Sequence, residues 1–312
     1  MTRVVFQIVF LLLVLQASAQ TEFTYPSLVV EYDSAVIFRN LKLIPIKRKE
    51  PHSLADSSAV PSHLLTLKEG MKSGGVKLKE RGNYMLDNIN ILIVENTTGK
   101  DLLIRSGEIA VGGRQDRVFA KDTILPGSIT SHTVPVYCIE ENRWSKYEKK
   151  FTYGGNTNSG LQKLIDSASN QTLVWDEIRR WLKASNQTKS SSFAALLGNK
   201  KMTDTSNAYI RYFLQQLPLK DSNTVGIIAS TGNRVLGADV FLSPSLFYQT
   251  ITQVLEKYTA EALLQGSTPA AQHERESKYA NELFTLSTQQ EVIRKRGKNI
   301  FYKGVLIQIT AH

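Results

Sequence analysis

The sequence predicts an α+β fold in which a β-rich, sandwich-like first part is followed by a helix-rich second part with returning β-hairpins. Up to about residue 151, short apolar or alternating runs are separated by turn-forming residues, which is typical of antiparallel sheets. Beyond residue 154, apolar residues recur at helical spacing. The composition, with 42% hydrophobic and 21% charged residues in 312, is that of a folded protein rather than a disordered one.

The predicted boundaries between the parts of the chain follow from this change from strand-like to helix-like spacing of apolar residues. We place a leader at residues 1–19, the β-rich part at residues 20–151 and the helix-rich part at residues 152–312. A chain of this length accommodates one large domain or two ordinary ones. The sequence therefore leaves open whether the two parts are separate domains or one integrated domain.

The first part reads as strands joined by turns. Apolar runs predict strands at residues 35–38, 41–46 and 133–139, and leucines at helical spacing predict a short helix at residues 62–72. Residues 89–94 and 101–104 flank an Asn-Thr-Thr-Gly-Lys turn, which predicts that these two runs pair as a hairpin.

The second part combines helices with hairpins. Helices are predicted at residues 173–183, 207–217, 243–265 and 271–284. Ser243 is suited to cap the third of these helices, with Pro244 in its first turn. A Thr-Gly-Asn turn at residues 231–233 predicts a hairpin. The chain then closes with the run Glu291-Val292-Ile293, a turn at residues 297–299 and a strand at residues 300–310.

The N-terminus predicts export from the cytoplasm. Arg3 precedes a largely apolar run at residues 4–15, and Ala17-Ser18-Ala19 fits a signal-peptide cleavage site. The run is shorter than the roughly 20 residues that a membrane-spanning helix needs, and we predict no membrane span elsewhere. The mature protein is therefore expected to be secreted or periplasmic, with cleavage after Ala19.

The net charge and the distribution of histidines limit the kinds of partner and cofactor that we predict. Loss of Arg3 with the leader lowers the formal net charge from +10 to +9. The basic residues are dispersed, and export argues against a nucleic-acid partner; anionic envelope polymers are the alternative. The five histidines are scattered and no nucleotide-binding fingerprint occurs, so we predict neither a metal site nor a cofactor.

The stretch at residues 106–117 is the densest in candidate site residues. On a strand, Glu108, Ala110 and Gly112 share one face, and glycines at 112 and 113 allow a ligand to approach the backbone. This predicts an anion-binding corner formed by Gly112, Gly113, Arg114, Gln115 and Arg117. Glu108 or Asp116 could act there as an acid–base group. The alternative is a glycine bulge whose charges pair with one another.

Four further residues complete the candidate set. Arg143 and Trp144 follow in sequence, and Trp144 is either a stacking platform for a sugar or base or a core residue. Asp239 is a carboxylate in an apolar hairpin, hence either a catalytic candidate or the partner of a turn. Cys138 lies about 20 Å along the same strand from His132, so these two cannot form a dyad, and a buried structural thiol is favoured.

Two sequence blocks carry a resemblance to a known family. The first, GEIAVGGRQDRVF, starts at Gly107, and the second, PVYCIEENRW, ends at Trp144. Together with the later hairpin and helix at residues 225–262, they resemble the ARG and Rhodanese-Phosphatase-superfamily-associated Protein domain over residues 41–264. The second block is intact, whereas Asp116 stands in the first where asparagine is more usual.

The resemblance implies an association with ADP-ribosylglycohydrolases and phosphatases, and hence with NAD or ADP-ribose metabolism, but no particular reaction. Three hypotheses follow. The first is a secreted module that binds a phosphate- or ADP-ribose-like anion at the predicted corner. The second is a hydrolase of a phosphorylated or ADP-ribosyl compound that uses Glu108, Asp116 or Asp239. The third is a structural envelope protein without a ligand.

Overall fold

The computed structural model describes residues 23–49, 63–81, 89–141, 144–167, 170–187, 189, 191–217 and 223–312. The predicted signal peptide and Arg143 lie outside these ranges. Within them the chain forms strands and helices in succession, which confirms the α+β prediction. No helix in the described ranges is long and apolar enough to cross a membrane.

The strands, in chain order, are β1 (Leu28–Val30), β2 (Val36–Phe38), β3 (Leu41–Arg48), β4 (Leu65–Thr66), β5 (Val76–Glu80), β6 (Ile91–Asn96), β7 (Leu102–Ile104), β8 (Glu108–Gly113), β9 (Arg117–Phe119), β10 (Thr123–Leu125), β11 (Ile129–Cys138), β12 (Lys149–Asn156), β13 (Thr224–Thr231), β14 (Arg234–Phe241), β15 (Gly297–Tyr302) and β16 (Val305–Ala311). The helices are α1 (Leu67–Ser73), α2 (Ser159–Ser167), α3 (Gln171–Ala184), α4 (Ala194–Leu197), α5 (Lys200–Gln216), α6 (Pro244–Gln265), α7 (Glu274–Phe284) and α8 (Leu286–Arg296).

Three sheets organise these strands in the described part of the chain. A seven-stranded sheet has the order β1-β3-β13-β14-β16-β15, with β2 paired to β3, and so takes strands from both ends of the chain. A six-stranded sheet has the order β12-β8-β9-β11-β6-β5, and a small sheet has the order β10-β7-β4. The hairpin predicted around residues 231–233 is confirmed by the antiparallel pairing of β13 with β14.

The hydrophobic cores lie between the sheets and the helices that pack on them. The largest contains side chains of the seven-stranded sheet and of helices α5, α6 and α7, with Phe213, Tyr258 and Phe284 fully buried. Within β8, alternate side chains enter different cores. Ala110 packs among the apolar residues of the six- and three-stranded sheets, whereas Ile109 packs against α2, α3 and α4.

Helix α6 places polar side chains deep inside the molecule. As predicted, the Ser243 side chain caps it by accepting a hydrogen bond from the Leu246 amide at 3.4 Å, and Pro244 occupies its first position. The helix is buried on several faces, so that the polar residues Gln253 and Lys257 are as hidden as its leucines. Buried polar groups need partners, and those of α6 lie at the candidate site.

Four local predictions are wrong. Residues 89–94 and 101–104 do not pair as a hairpin: β6 pairs with β5 and β11, whereas β7 pairs with β10 and β4. The turn predicted at residues 297–299 is the start of strand β15, directly after helix α8. The predicted strand at residues 300–310 is a hairpin that turns at Lys303 and Gly304, both of which have positive φ. The helix predicted from residue 62 begins at Leu67, since Thr66 caps it in a capping box.

Candidate functional site

The predicted site residues divide between the two ends of β8. Glu108 begins this six-residue strand and Gly113 ends it, so that the ends lie about 16 Å apart at about 3.3 Å per residue. We call the surroundings of Gly112–Arg117 and Trp144 the corner. We call the group formed by Arg105, Glu108, Asp239 and Lys257 the inner cluster.

The two arginines of the corner converge on Glu80, the last residue of β5. Arg117 is 1% exposed, and its Nη2 lies 3.1 Å from Glu80 Oε1. The Arg114 amide donates to the same oxygen at 3.1 Å, and its Nη1 lies 3.8 Å from Oε2. Both guanidinium groups lie over the Trp144 ring, at 5.9 and 5.7 Å from its centroid. Much of their charge is therefore compensated within the protein.

The glycines and Asp116 shape the turn of the corner. Gly112 has φ +132°, and its amide donates to Asp116 Oδ1 at 2.9 Å. Ser192 donates to the other oxygen of Asp116 at 3.2 Å. Gly113 has φ +56°, and a Cβ there would lie 2.3 Å from the ring of Phe151. Asp116 thus holds the turn, and the backbone at Gly113 faces an aromatic side chain.

Gln115 and Cys138 are likewise engaged inside the fold. The Gln115 side chain donates to the Glu140 carbonyl and accepts from Arg117 Nη1 at 3.0 Å. Cys138 is 1% exposed, which confirms the predicted buried thiol, and its backbone amide and carbonyl both bond the Gln171 side chain at 2.8 Å. Burial raises the pKa of the Cys138 thiol, which disfavours the reactive thiolate.

Asp239 is the anionic centre of the inner cluster. It lies on β14 and is 1% exposed. Its Oδ2 accepts from Lys257 Nζ at 2.6 Å and from Tyr258 Oη at 2.8 Å, and its Oδ1 accepts from Thr310 at 2.8 Å and Gln308 at 3.2 Å. Burial alone would raise the pKa of Asp239, but Lys257, Arg105 and the hydrogen bonds hold it well below its usual range. Asp239 therefore stays ionised and structurally engaged.

Glu108 differs from Asp239 in its protonation. It is 1% exposed, and its Oε2 accepts a hydrogen bond from the Arg105 amide at 2.8 Å. Burial raises the pKa of Glu108 to about 7, although Arg105 acts in the opposite direction, and the negative charge of Glu256 adds to the rise. Near neutral pH this carboxyl group is therefore present in both protonation states.

Arg105 connects these two carboxyl groups. Arg105 is 9% exposed, and its guanidinium lies 5.3 Å from the centroid of the Phe241 ring and donates to the side-chain oxygen of Gln308. It forms no ion pair with a carboxylate of the described residues. The ionised Asp239 compensates part of its charge without direct contact, whereas Arg105 Nε has no hydrogen-bond partner among the described residues and is available to an anion.

A narrow cavity of about 10 Å³, which is room for about one water molecule, lies beside Arg105 and Lys257. Its wall comes from the loop before β8, the end of β12, α2 and α6. Among the described residues, four buried atoms of this wall have no hydrogen-bond partner: Arg105 Nε, Thr157 Oγ1, Gln162 Oε1 and Gln253 Oε1. Such atoms are normally satisfied by water or by a ligand. We call this space the inner cavity.

Sequence reasoning identified Glu108 and Asp239 but missed Arg105, Lys257 and Gln253. Lysine and glutamine within the otherwise apolar face of α6 were the available signal. With regard to metals, the described ranges contain no group of three or more His, Cys, Asp or Glu side chains that could hold an ion.

Comparison with known proteins gives one match. No curated protein and no solved structure matches the chain. The model of the ARG and Rhodanese-Phosphatase-superfamily-associated Protein domain matches residues 29–303, which include both sequence blocks, the corner and the inner cluster. The chain therefore belongs to the ARG and Rhodanese-Phosphatase-superfamily-associated Protein domain family.

Proposed function

We propose that this protein is exported and binds a small anionic molecule, phosphate-like in chemistry, beside Arg105, where it would widen the inner cavity. One observation carries the proposal. Two buried cationic side chains and four buried polar atoms without partners meet at one cavity. An anion there would form the direct ion pair that Arg105 makes with neither Asp239 nor Glu108, and would accept from Arg105 Nε and Thr157 Oγ1.

The proposal places the ligand at the Gly107–Glu108 end of the family's first block. Gly107 lines the inner cavity. The corner at the other end of β8 suits an anion less, because Glu80 already lies between Arg114 and Arg117. The cavity as it stands has about 10 Å³ of space, so an anion would have to displace water and move the walls apart, and a single phosphate or carboxylate group suits such a site better than a drug-sized ligand.

Export and attraction to anionic envelope polymers belong to the same proposal and rest on the sequence alone. The leader at residues 1–19 and the remaining charge of +9 support them. Mass spectrometry of the mature protein, expressed with its leader, should find Gln20 at the N-terminus. An intact Met1 on material recovered from cells would reject export.

Calorimetric titration with inorganic phosphate and with ADP-ribose tests the binding site. Arg105→Met should abolish binding, and because Arg105 also donates to Gln308 and helps to keep Asp239 ionised, thermal unfolding of this variant must first show that it folds. Gln253→Met, which conserves size, should weaken binding by about tenfold, the equivalent of about 1.4 kcal/mol. Arg114→Gln, at the corner, is the matched control and should bind as the wild type does.

The outcomes separate the hypotheses. Loss of binding in Arg114→Gln, with normal binding in the two cavity variants, would place the ligand at the corner instead. Failure of the wild-type protein to bind either compound would reject the proposal and favour a structural envelope protein.

A hydrolase is the second candidate, and the raised pKa of Glu108, about 7, favours it. A carboxyl group that titrates near neutral pH can both donate and accept a proton. Wild-type protein should then release phosphate or ribose from a phosphorylated or ADP-ribosyl compound, and Glu108→Gln should bind that compound without turning it over. Binding without turnover by the wild type rejects the hydrolase for the compound tested.

A further inference from the structure

Tyr153 lies beside Glu108 on the neighbouring strand of the six-stranded sheet. It pairs with Ala110 across β12 and β8, and both side chains pack in the same core. Glu108 is two positions before Ala110 on β8, so its side chain lies on the same face of the sheet. Burial, the negative charges of Glu108 and Glu256 and a hydrogen bond to Glu108 raise the pKa of Tyr153 well above its usual range. Tyr153 therefore keeps its proton and faces the Glu108 carboxyl group.

Asn156 fixes the direction of the hydrogen bonds around Tyr153. Its Nδ2 donates to Glu256 Oε2 at 2.6 Å and to Tyr153 Oη at 3.0 Å. A carboxylate oxygen can only accept a hydrogen bond, so it is the nitrogen of the Asn156 amide, and not its oxygen, that faces both groups. The Tyr153 oxygen therefore accepts from Asn156, and its own hydrogen remains free to be donated to Glu108.

Glu256 connects these hydrogen bonds to the surface of the molecule. It lies on α6 and is partly exposed, and its Oε1 is 3.4 Å from the Nζ of Lys68 on helix α1. The same Nζ lies 5.7 Å from the centroid of the Tyr153 ring, and the Lys68 side chain is about half exposed. The contacts therefore run without a break from Lys68 at the surface to the buried Glu108.

The groups that face Glu108 act on its ionisation in opposite directions. Burial has the largest effect and raises the pKa of Glu108, whereas Arg105, in the loop before β8, lowers it through its amide and its charge. The negative charges of Glu256 on α6 and of Asp122, in the loop before β10, raise it further. A hydroxyl group that donates to a carboxylate favours the ionised form, so Tyr153 on β12 opposes the effect of Glu256.

We infer that Tyr153 is a positioning residue that donates a hydrogen bond to Glu108, and that Glu256 acts on the same carboxyl group from the surface. The inference deepens the hydrolase candidate and rests on it for the acid–base role of Glu108. The positioning itself is tested without a ligand. It requires that removal of the Tyr153 hydroxyl and removal of the Glu256 charge change the ionisation of Glu108 in opposite directions, which a merely structural role for either residue would not produce.

An NMR titration of the full mature chain, isotopically labelled at the glutamate carboxyl carbons, measures the acid dissociation constant of Glu108. The resonance that is missing from Glu108→Gln identifies this residue. Tyr153→Phe keeps the ring but removes the donor, and should lower the acid dissociation constant of Glu108 by about tenfold. Glu256→Gln removes the charge but keeps an oxygen that accepts from Asn156, and should raise the constant by at least about threefold.

Two exposed positions supply matched controls. Tyr147→Phe, at a tyrosine that is 81% exposed, and Glu274→Gln, at the exposed start of α7, should each leave the constant of Glu108 within about twofold. An unchanged or higher constant in Tyr153→Phe would overturn the positioning role, and an unchanged constant in Glu256→Gln would overturn the action from the surface. If both constants change as expected but the wild type turns over no phosphorylated or ADP-ribosyl compound, the hydrolase candidate fails while the positioning of Glu108 stands.

Discussion

Replacing Glu108 by glutamine should change how the stability of the protein depends on pH. Burial raises the pKa of Glu108 from its ordinary value of 4.5 to about 7 in the folded state. Between these values the folded protein holds a proton that the unfolded chain has released. Protonation therefore favours the folded state at low pH, and stability is lost as the pH rises from about 4.5 through about 7.

The magnitude follows from the gap between the two pKa values. A gap from 4.5 to about 7 corresponds to about 3 kcal/mol once the pH is well above 7. Glutamine cannot ionise but can still accept the hydrogen bond from the Arg105 amide. Between about pH 5 and about pH 9, the stability of Glu108→Gln should therefore rise by about 2 to 3 kcal/mol relative to the wild type.

Urea unfolding at several pH values measures this difference by linear extrapolation. Groups common to both proteins largely cancel in the comparison, including His312, whose pKa burial lowers. Glu274→Gln is the control, because this glutamate is exposed at the start of α7. A pH-independent difference between Glu108→Gln and the wild type would mean that Glu108 is ionised throughout, and the case for an acid–base role would then collapse.

Two further predictions concern the frame around the site. Gly112→Ala should destabilise the protein more than Gly99→Ala. Both glycines have positive φ, which costs an alanine about 1 to 2 kcal/mol, but only at Gly112 would the new Cβ lie 2.6 Å from the backbone of β12. Equal shifts in the thermal unfolding temperature of the two variants would contradict the clash. Asn96→Asp should cost about 2 kcal/mol or more, because the fully buried Asn96 donates to two backbone carbonyls at 2.9 Å that a carboxylate would repel. The exposed helix cap Asn170→Asp should be nearly neutral, since both residues cap well, and a comparable loss there would refute the argument.

Local signals sufficed for helix α6 and for the β13–β14 hairpin. Ser243 and Pro244 mark the start of the helix, and Gly232 supplies the positive φ of the turn. These features depend on residues close together in sequence, so that a single sequence contains them. The pairing of β7 does not, because its partners β4 and β10 are selected by the packing of the small sheet rather than by the turn beside it.

The same difference between local and distant partners explains which residues of the site could be predicted from the sequence. Glu108 and Asp239 could be predicted because a carboxylate stands out in an apolar strand. Arg105 could not, since its side-chain partner Gln308 is 203 positions away. Lys257 was hidden for another reason: α6 is buried on several faces, so helical periodicity does not separate a solvent-facing lysine from one that faces a cavity.

Two neighbouring groups of buried charges have different roles, and the difference supports the choice of site. Lys298 Nζ lies 2.7 Å from Asp122 and 3.1 Å from Asp166, and these carboxylates raise its pKa. Lys298 therefore stays protonated and cannot act as a base toward Ser106, whose hydroxyl it contacts. This group fixes the loop before β8.

The loop that Lys298 and its two carboxylates fix also borders the inner cavity. The Ser106 carbonyl accepts from Gln162 Nε2 at 2.8 Å, which leaves Gln162 Oε1 beside the cavity without a partner. Paired charges thus hold the loop in place, whereas Arg105, the residue before Ser106, forms no direct ion pair with a carboxylate of the described residues. Lys298 thus has two direct ion pairs, whereas Arg105 has only the longer-range compensation of Asp239 and Glu108, and an anionic ligand at Arg105 would add the direct contact.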